Sequence, residues 1–208
     1  MNAAVEPRNT DLAAKRVLDV ILSAAALLVL SPLLLVLAVL VRFSSPGPIF
    51  FSQVRVGRLG KEFKIYKFRS MTVSTGGPLV TAGSDKRITP IGAFLRRKKL
   101  DELPQFFNVF LGDMSLVGPR PEVPKYVAYY SEKERGVLVV RPGITGPTQL
   151  NYTDEEELLA AADDPETYYI EVLLKKKLEM DLEYVATRNL GMDIQMLWKT
   201  FARIVSRK

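Results

Sequence analysis

Two adjacent carboxylates, Asp101 and Glu102, stand in the hexapeptide Leu100-Asp101-Glu102-Leu103-Pro104-Gln105. Neighbouring side chains on a helix point in different directions, so the pair cannot grip one atom as i, i+4 partners would. They can instead serve two roles at one place. Pro104 fits the first turn of a helix that is expected to run to about Leu111, with Asp101 near its N-cap. A helix start presents unpaired N–H groups that favour anions and phosphates. Two carboxylates facing an anionic substrate would repel it unless a divalent cation intervenes. Mg²⁺, held by a carboxylate and by substrate phosphate oxygens, is the natural choice. Acidic residues in a first turn are favourable in any helix, however, and from this hexapeptide alone plain capping is the commoner explanation.

Cations flank the pair in sequence. Lys67 and Arg69 occur in Lys67-Phe68-Arg69-Ser70-Met71, and Arg96, Arg97, Lys98 and Lys99 form a run. Arg120 lies between prolines in Gly118-Pro119-Arg120-Pro121, and Arg141 opens Arg141-Pro142-Gly143-Ile144-Thr145-Gly146. Prolines fix φ, so Arg120 is expected to sit on stiff backbone. Rigid guanidinium forks suit a diphosphate. Arg97, Lys98 and Lys99 read better as a solvated face or a contact with anionic lipid.

Composition narrows the chemistry. The 208 residues contain 29 Lys and Arg against 23 Asp and Glu, a net charge of +6, with no cysteine and no histidine. That excludes a disulfide framework, a Cys/His zinc site, a Cys nucleophile and a His base. Carboxylates, Lys, Arg, Tyr and hydroxyls remain, with a hard cation as the plausible helper. The length suits one domain of ordinary size. A basic balance points to a polyanionic partner: nucleic acid, an anionic membrane surface or a phosphorylated substrate.

The apolar residues are concentrated at one end. Residues 17–41 carry a single charge, Asp19, and are interrupted only by Ser23, Ser31 and Pro32. About 20 such residues cross a bilayer, so this segment is expected to enter one. The run is too long for a secretory signal and no small-residue cleavage site follows it. Pro32 is expected to kink the helix, with Ser31 offering a local partner to the carbonyl that proline leaves free. Lys15 and Arg16 precede the run, and Arg42, Arg55, Arg58 and Lys61 follow it. Cations at both ends suit a segment that dips in and returns to the same face, the alternative being a spanning helix with a tolerated proline.

The remaining elements are those that must hold the carboxylates and cations in place. Residues 1–14 read as a polar lead-in, and Ser44-Ser45-Pro46-Gly47-Pro48 as a turn. Residues 49–56 and 62–68 alternate apolar and charged side chains and read as a hairpin. Residues 74–86 read as a loop. Thr153 with Glu156 forms a capping box, and Asp164-Pro165-Glu166 starts a long helix to about Arg188. Ile194, Leu197, Trp198, Phe201 and Val205 recur at helical spacing with cations elsewhere around the helix. Such a helix can lie among headgroups or pack on the body equally well.

Four motifs in this order, Lys67-Phe68-Arg69-Ser70-Met71, Leu100-Asp101-Glu102-Leu103-Pro104-Gln105, Gly112-Asp113-Met114-Ser115-Leu116-Val117-Gly118-Pro119-Arg120-Pro121 and Arg141-Pro142-Gly143-Ile144-Thr145-Gly146, closely resemble the bacterial monotopic phosphoglycosyl transferases of the bacterial sugar transferase family. The resemblance runs from about Lys15 to the C-terminus and looks like the small, single-catalytic-domain class. It implies an α+β fold: a polar lead-in (1–14), a re-entrant membrane helix broken at Ser31-Pro32 (15–43), and a catalytic domain with interfacial amphipathic helices (44–208). It implies transfer of a sugar-1-phosphate from a UDP-sugar to polyprenol phosphate, releasing UMP, at the cytoplasmic face of the inner membrane. Carried over, Asp101 is nucleophile and Mg²⁺ ligand, and Glu102 assists deprotonation or positioning of the acceptor. Arg120, Lys67, Arg69, Arg96 and Arg141 contact the diphosphate and uridine. Lys15 and Arg16 anchor the helix to phospholipid headgroups. Asp181 matches a family position without an assigned role.

The chain departs from many relatives after Gly146, where Pro147-Thr148-Gln149 and Asn151-Tyr152-Thr153 replace Trp-x-Gln and Asn-Gly-Arg. An expected arginine is missing there, and donor contacts of that segment are the ones placed in doubt. The competing reading is a basic, membrane-tethered binder of nucleic acid or anionic lipid. It does not require Asp101-Glu102 beside fixed arginines, and aromatics interleave with cations only around Phe63 to Phe68, so no nucleic-acid partner is expected. The oligomeric state is left open, a homodimer included.

Overall fold

In a computed structural model, residues 9–72, 87–152 and 155–206 are described. The loop expected at 74–86 and the capping box expected at Thr153 with Glu156 rest on residues outside these. The fold is mixed helix and sheet, as expected for the α+β class. Helix α1 (Asn9–Ser44) begins within the stretch read as a polar lead-in. It is the one helix among the described residues long and apolar enough to cross a membrane.

The hairpin forms as expected. Strands β1 (Phe50–Val56) and β2 (Glu62–Phe68) pair antiparallel with Phe50 opposite Phe68 and Val56 opposite Glu62. Helix α2 (Pro90–Arg97) follows, its N-terminus capped by Thr89 Oγ1, which accepts from the Gly92 N–H at 2.9 Å. After a 3₁₀ turn at Leu100–Glu102 comes α3 (Gln105–Leu111), closed by Gly112 in the left-handed conformation (φ 101°). Strands β3 (Ser115–Val117) and β4 (Gly143–Thr145) pair in parallel on either side of the short α4 (Pro124–Val127). This pair explains two of the sequence motifs. A Cβ on Gly143 would fall 2.1 Å from the Gly118 backbone nitrogen, and one on Gly118 would fall 2.5 Å from the Arg141 carbonyl oxygen. The Gly-Pro-Arg-Pro and Arg-Pro-Gly segments are pressed backbone to backbone, which only glycine permits.

Helices α5 (Pro147–Asn151) and α6 (Glu155–Ala160) lead to α7 (Pro165–Tyr168), a π turn (Tyr169–Leu173) and α8 (Leu174–Thr187). Together the last three make the long helix expected from Asp164-Pro165-Glu166, and Asp164 accepts from the N–H groups of Glu166 and Thr167 as its N-cap. The inserted π turn carries no sequence signature. It turns Tyr169 and Leu173 into a core with Val123, Tyr126, Leu174 and Leu178. The basic amphipathic helix expected at the end is α9 (Leu190–Ser206).

Two fastenings tie α1 to this body. Near its start, Asp19 is buried and accepts the Leu116 N–H of β3 at 3.0 Å, while Arg16 donates to the Val109 and Phe110 carbonyls at 2.6 and 2.9 Å. Those carbonyls belong to the last turn of α3, a favoured place for a cation. Near its end, Leu37 and Val41 pack with Phe68 and Leu95. Between the fastenings α1 remains helical through Pro32. Proline at 32 leaves the Leu28 carbonyl without its i+4 donor, and Ser31 Oγ donates to that carbonyl at 2.8 Å.

Arg69 corrects one sequence expectation. It was assigned to the substrate, but its buried guanidinium donates to the Val41, Ser45 and Pro48 carbonyls at 3.1, 2.6 and 2.6 Å. It closes the last turn of α1 and is spent there. Arg69→Ala is expected to destabilise the protein by roughly 2–4 kcal/mol, because buried carbonyls lose charged donors. Arg69→Lys should rescue little, since an ammonium cannot span three carbonyls. Thermal or urea unfolding of both variants in detergent checks this; wild-type stability in Arg69→Ala would refute it.

Candidate active site

Asp101 and Glu102 lie in the 3₁₀ turn rather than at the start of α3. Pro104 holds the N-cap position of that helix, and neither the turn nor the helix has a side-chain capping bond. The capping explanation of the pair therefore fails on geometry. Lys99, in the left-handed conformation (φ 56°), turns the chain into the 3₁₀ segment. The following α3 is locked to β2 by Asn108, fully buried. Its Oδ1 accepts the Tyr66 N–H at 3.1 Å and its Nδ2 donates to the Lys64 carbonyl at 2.8 Å. This places Lys67, the residue after Tyr66, beside the turn.

Glu102 is engaged and Asp101 is not. Lys67 Nζ donates to Glu102 Oε1 at 2.7 Å, and Arg120 Nη2 stands 4.0 Å from the same oxygen. Burial would raise the Glu102 pKa, but Lys67, Arg120 and Lys99 outweigh it and hold the carboxyl well below the usual range. Asp101 is buried and its Oδ1 has no hydrogen-bond partner. Burial, then the neighbouring Glu102 charge, push its pKa up, against the pull of Lys67, Lys99 and Arg96. A cleft of about 250 Å³ opens beside Glu102, lined by Arg55, Lys67, Gln105, Arg120 and Ile144 among others.

A buried polar layer backs Arg120. Glu122 accepts from the Tyr169 hydroxyl, and Lys177 Nζ donates to Glu155 at 2.9 Å. Burial would lower the Arg120 pKa, but Glu102, Glu155 and Glu122 outweigh it and keep the guanidinium charged. Asp181 lies in this layer, pushed up to about 7 by burial against Lys177 and the Arg120 backbone N–H.

Of the residues expected at the site, Asp101, Glu102, Lys67, Arg96 and Arg120 come together. Besides Arg69, Arg141 falls elsewhere: its Nε donates to the Gly112 carbonyl at 2.8 Å and it lines a different cleft. Lys15 and Arg16, expected to reach headgroups, are turned inward. Lys15 pairs with Asp193 at 2.6 Å, and Arg16 holds the α3 carbonyls. Sequence reasoning missed Arg55 as a cleft residue, because in a strand of alternating character it reads as an outward charge. Its guanidinium donates to the Pro121 carbonyl at 3.0 Å and stands 3.7 Å from Glu122. The altered segment after Gly146 is helix α5, whose polar groups are spent locally: Thr148 is buried and Gln149 donates to the Gly143 carbonyl at 3.2 Å.

Among the described residues no cluster of three or more metal-ligating side chains forms a ready-made cage. The unpartnered Asp101 oxygen nonetheless fits Mg²⁺, which commonly takes one or two protein carboxylates and completes its shell with substrate phosphates and water.

The family model described as bacterial sugar transferase matches residues 10–207, and the chain belongs to that family. It is 40% identical over 192 residues to the UDP-glucose:undecaprenyl-phosphate glucose-1-phosphate transferase of Escherichia coli (strain K12), covering 89% of this chain and 39% of that protein. It is 38% identical over 197 residues to the UDP-N-acetylgalactosamine-undecaprenyl-phosphate N-acetylgalactosaminephosphotransferase of Aeromonas hydrophila, covering 92% and 44%. The exopolysaccharide production protein PSS of Rhizobium leguminosarum bv. phaseoli is 37% identical over 210 residues, covering 95% and 98%. The chain thus spans about two fifths of the first two relatives and nearly all of the third.

The electrostatics give a signed expectation. Asp101 ionises as pH rises through its elevated pKa, so its carboxylate form is lost earlier on acidification than that of an ordinary aspartate. Lys67→Met removes a cation that lowers this pKa, while Arg120 and Lys99 keep Glu102 ionised. The Asp101 transition should move to higher pH. Infrared titration of carboxylate bands, with Asp101→Asn identifying the band, measures it; an unmoved or lowered midpoint would contradict the assignment.

Proposed function

We propose that this chain transfers a sugar-1-phosphate from a UDP-sugar to undecaprenyl phosphate, with Asp101 as nucleophile. The observation that carries the reading is the buried, unpartnered Asp101 oxygen next to a Glu102 already committed to Lys67 and Arg120. A carboxylate is a competent phosphoryl acceptor. An Asp101 oxygen attacks the sugar-linked phosphorus, a P–O bond forms to Asp101, and the bond to the bridging oxygen breaks with UMP carrying the electron pair away. An oxygen of the acceptor phosphate then attacks the same phosphorus, releasing the Asp101 carboxylate and a polyprenyl-diphosphate sugar. Arg120 and Lys67 sit where charge on the transferred group must be balanced. Bound Mg²⁺ would supply Lewis-acid stabilisation of that charge, with Asp101 as its protein ligand.

Between the two roles expected for Glu102, its low pKa favours positioning. A strong base needs a pKa near the working pH, and this carboxyl lies far below. A phosphate monoester loses its second proton near pH 6, so the acceptor arrives ionised without help. The relatives bear names for both glucose and N-acetylgalactosamine, and the donor sugar is not assigned.

The membrane segment reads as re-entrant. Arg16 and Asp19 at one end, and Val41 and Ser45 at the other, are fastened to one globular body. A spanning helix would put roughly 30 Å of hydrocarbon between such ends. The middle of α1 exposes Leu28, Val29, Leu35 and Val36. Exposed Phe94 on α2, Phe107 and Phe110 on α3, and Trp198 and Phe201 on α9 supply the apolar faces of interfacial helices. The excess of cations supports a body on the cytoplasmic side of the inner membrane.

Purified protein in nanodiscs, given Mg²⁺, undecaprenyl phosphate and a panel of UDP-sugars, should release UMP with one donor. Asp101→Asn should lose turnover by several orders of magnitude and lose the phosphosugar adduct seen by intact-mass spectrometry, and EDTA should stop the reaction. Turnover retained in Asp101→Asn would remove the covalent role.

The topology has its own test, made simple by the absence of cysteine. Asn9→Cys and Ser206→Cys variants should both resist an impermeant maleimide added to intact cells. Labelling at residue 9 alone would establish a spanning helix instead.

A further inference from the structure

A second concentration of cations lies outside the cleft beside Glu102. A cleft opens where α1 enters its apolar run, lined by Lys15, Arg16, Arg58, Arg141 and Arg188 together with Asp19. None of these residues lines the Glu102 cleft. The nearby acids are already occupied: Asp19 Oδ1 by the Leu116 N–H, and Asp193 by Lys15 and by the Tyr184 hydroxyl at 2.6 Å.

The three remaining arginines are held by backbone carbonyls alone. Arg58 donates through Nε to Val139 at 3.2 Å, Arg141 through Nε to Gly112 at 2.8 Å, and Arg188 through Nη1 to Val185. In Arg58 and Arg141 the bonded atom is Nε, so the terminal nitrogens meet no protein acceptor among the described residues. Arg188 Nη2 is buried without a partner. A buried charged donor in that state is costly and calls for an acceptor. The crowding is also visible in the ionisation. Burial, then Arg16 and Arg58, lower the Arg141 pKa; burial and Arg58 lower that of Arg188, against Tyr184 and Asp193. An anion would relieve all three at once.

We propose that this cleft is a second phosphate-binding site, in which the forks of Arg58, Arg141 and Arg188 take the phosphodiester headgroup of an anionic phospholipid. A fork-shaped donor matches a tetrahedral oxyanion bearing several acceptors. The apolar surroundings specify the rest of the ligand. Val17 follows Arg16, Leu59 follows Arg58, Val139 is the carbonyl partner of Arg58, and Ile194 follows Asp193; all four are exposed. Cations with exposed apolar side chains close by in the chain fit an amphiphile with a phosphate head. The site explains why Lys15 and Arg16 can turn inward: the headgroup contact passes to arginines that arrive from the hairpin turn, the β4 approach and the end of α8.

Full-length protein in nonionic detergent is titrated with phosphatidylglycerol, followed by native mass spectrometry, and in parallel with inorganic phosphate, followed by thermal shift. The expected result is one phosphatidylglycerol retained per chain, with Arg58→Gln and Arg188→Gln each weakening retention about tenfold or more. Arg188→Lys should not restore it, because the charge returns without the fork. Arg120→Gln, in the other cleft, should leave retention unchanged. A phosphate-dependent shift that Arg58→Gln abolishes, without lipid retention, supports the site and makes free phosphate its occupant. Wild-type retention and wild-type phosphate response in Arg58→Gln and Arg188→Gln would overturn the proposal. So would loss confined to Arg120→Gln, which would assign the anion to the Glu102 cleft. Should Arg188→Gln fail to fold, Arg58→Gln alone decides, because among the described residues the Arg58 side chain makes one hydrogen bond, an exposed one to the Val139 carbonyl.

Discussion

Lys67 holds Glu102 at 2.7 Å and Arg120 stands 4.0 Å away, and much of the fold exists to keep those three side chains in that relation. Two adjacent carboxylates repel, so a buried pair is tolerable only if one is neutralised by cations. Each cation arrives from a different part of the chain. Lys67 comes from the end of β2, which Asn108 locks to α3. Arg120 comes from the stiff segment that Gly118 presses against Gly143. Behind it, Glu122 and Glu155 are tied to Tyr169 and Lys177, so the arginine cannot retreat. With Glu102 satisfied, Asp101 is left as the one carboxylate of the pair whose buried oxygen has nothing bound to it.

The same body also clasps α1 at both ends, and it does so with arginines aimed at helix carbonyls. Arg16 takes those of α3 and Arg69 those of α1. Carbonyls at a helix C-terminus attract cations through the helix dipole and their own lone pairs. Where the helix borders lipid, water cannot fill that role, which raises the cost of leaving them bare. The apolar middle of α1 is thus offered outward while its ends stay with the body. The proposed transfer between a soluble nucleotide and a lipid phosphate suits this arrangement, because two such substrates approach from different solvents.

Sequence patterns carried the hairpin, the start of the long helix at Asp164 and the amphipathic last helix, because each depends on local chemistry: alternation, a cap, a helical period. They failed for Arg69, Arg141, Lys15 and Arg16. Each is a cation next to a telling motif, and sequence shows that the charge exists without showing what consumes it. In all four the consumer is a distant group, a carbonyl or Asp193, and that is a fact of tertiary packing. The π turn at Tyr169–Leu173 was illegible for a related reason: the extra residue answers to a core contributed by α4 and α8, not to its own composition. Arg55 was missed because strand alternation predicts which face a side chain takes, not whether that face borders solvent or a cleft.

The two clefts differ in how their cations are balanced, and the difference matches what each must do. Beside Glu102, Lys67 and Arg120 face a carboxylate, so an arriving diphosphate does not meet bare charge. Catalysis gains only from interactions that strengthen in the transition state, and a site that gripped its phosphates at full strength throughout would hold the product as well. Near the start of α1, the hydrogen bonds of Arg58, Arg141 and Arg188 go to carbonyls, and the nearby carboxylates Asp19 and Asp193 are already held by the Leu116 N–H, Lys15 and the Tyr184 hydroxyl. On the two proposals above, cations of the same type serve transfer of a phosphate in one cleft and its retention in the other, according to whether a carboxylate with an unpartnered oxygen stands beside them.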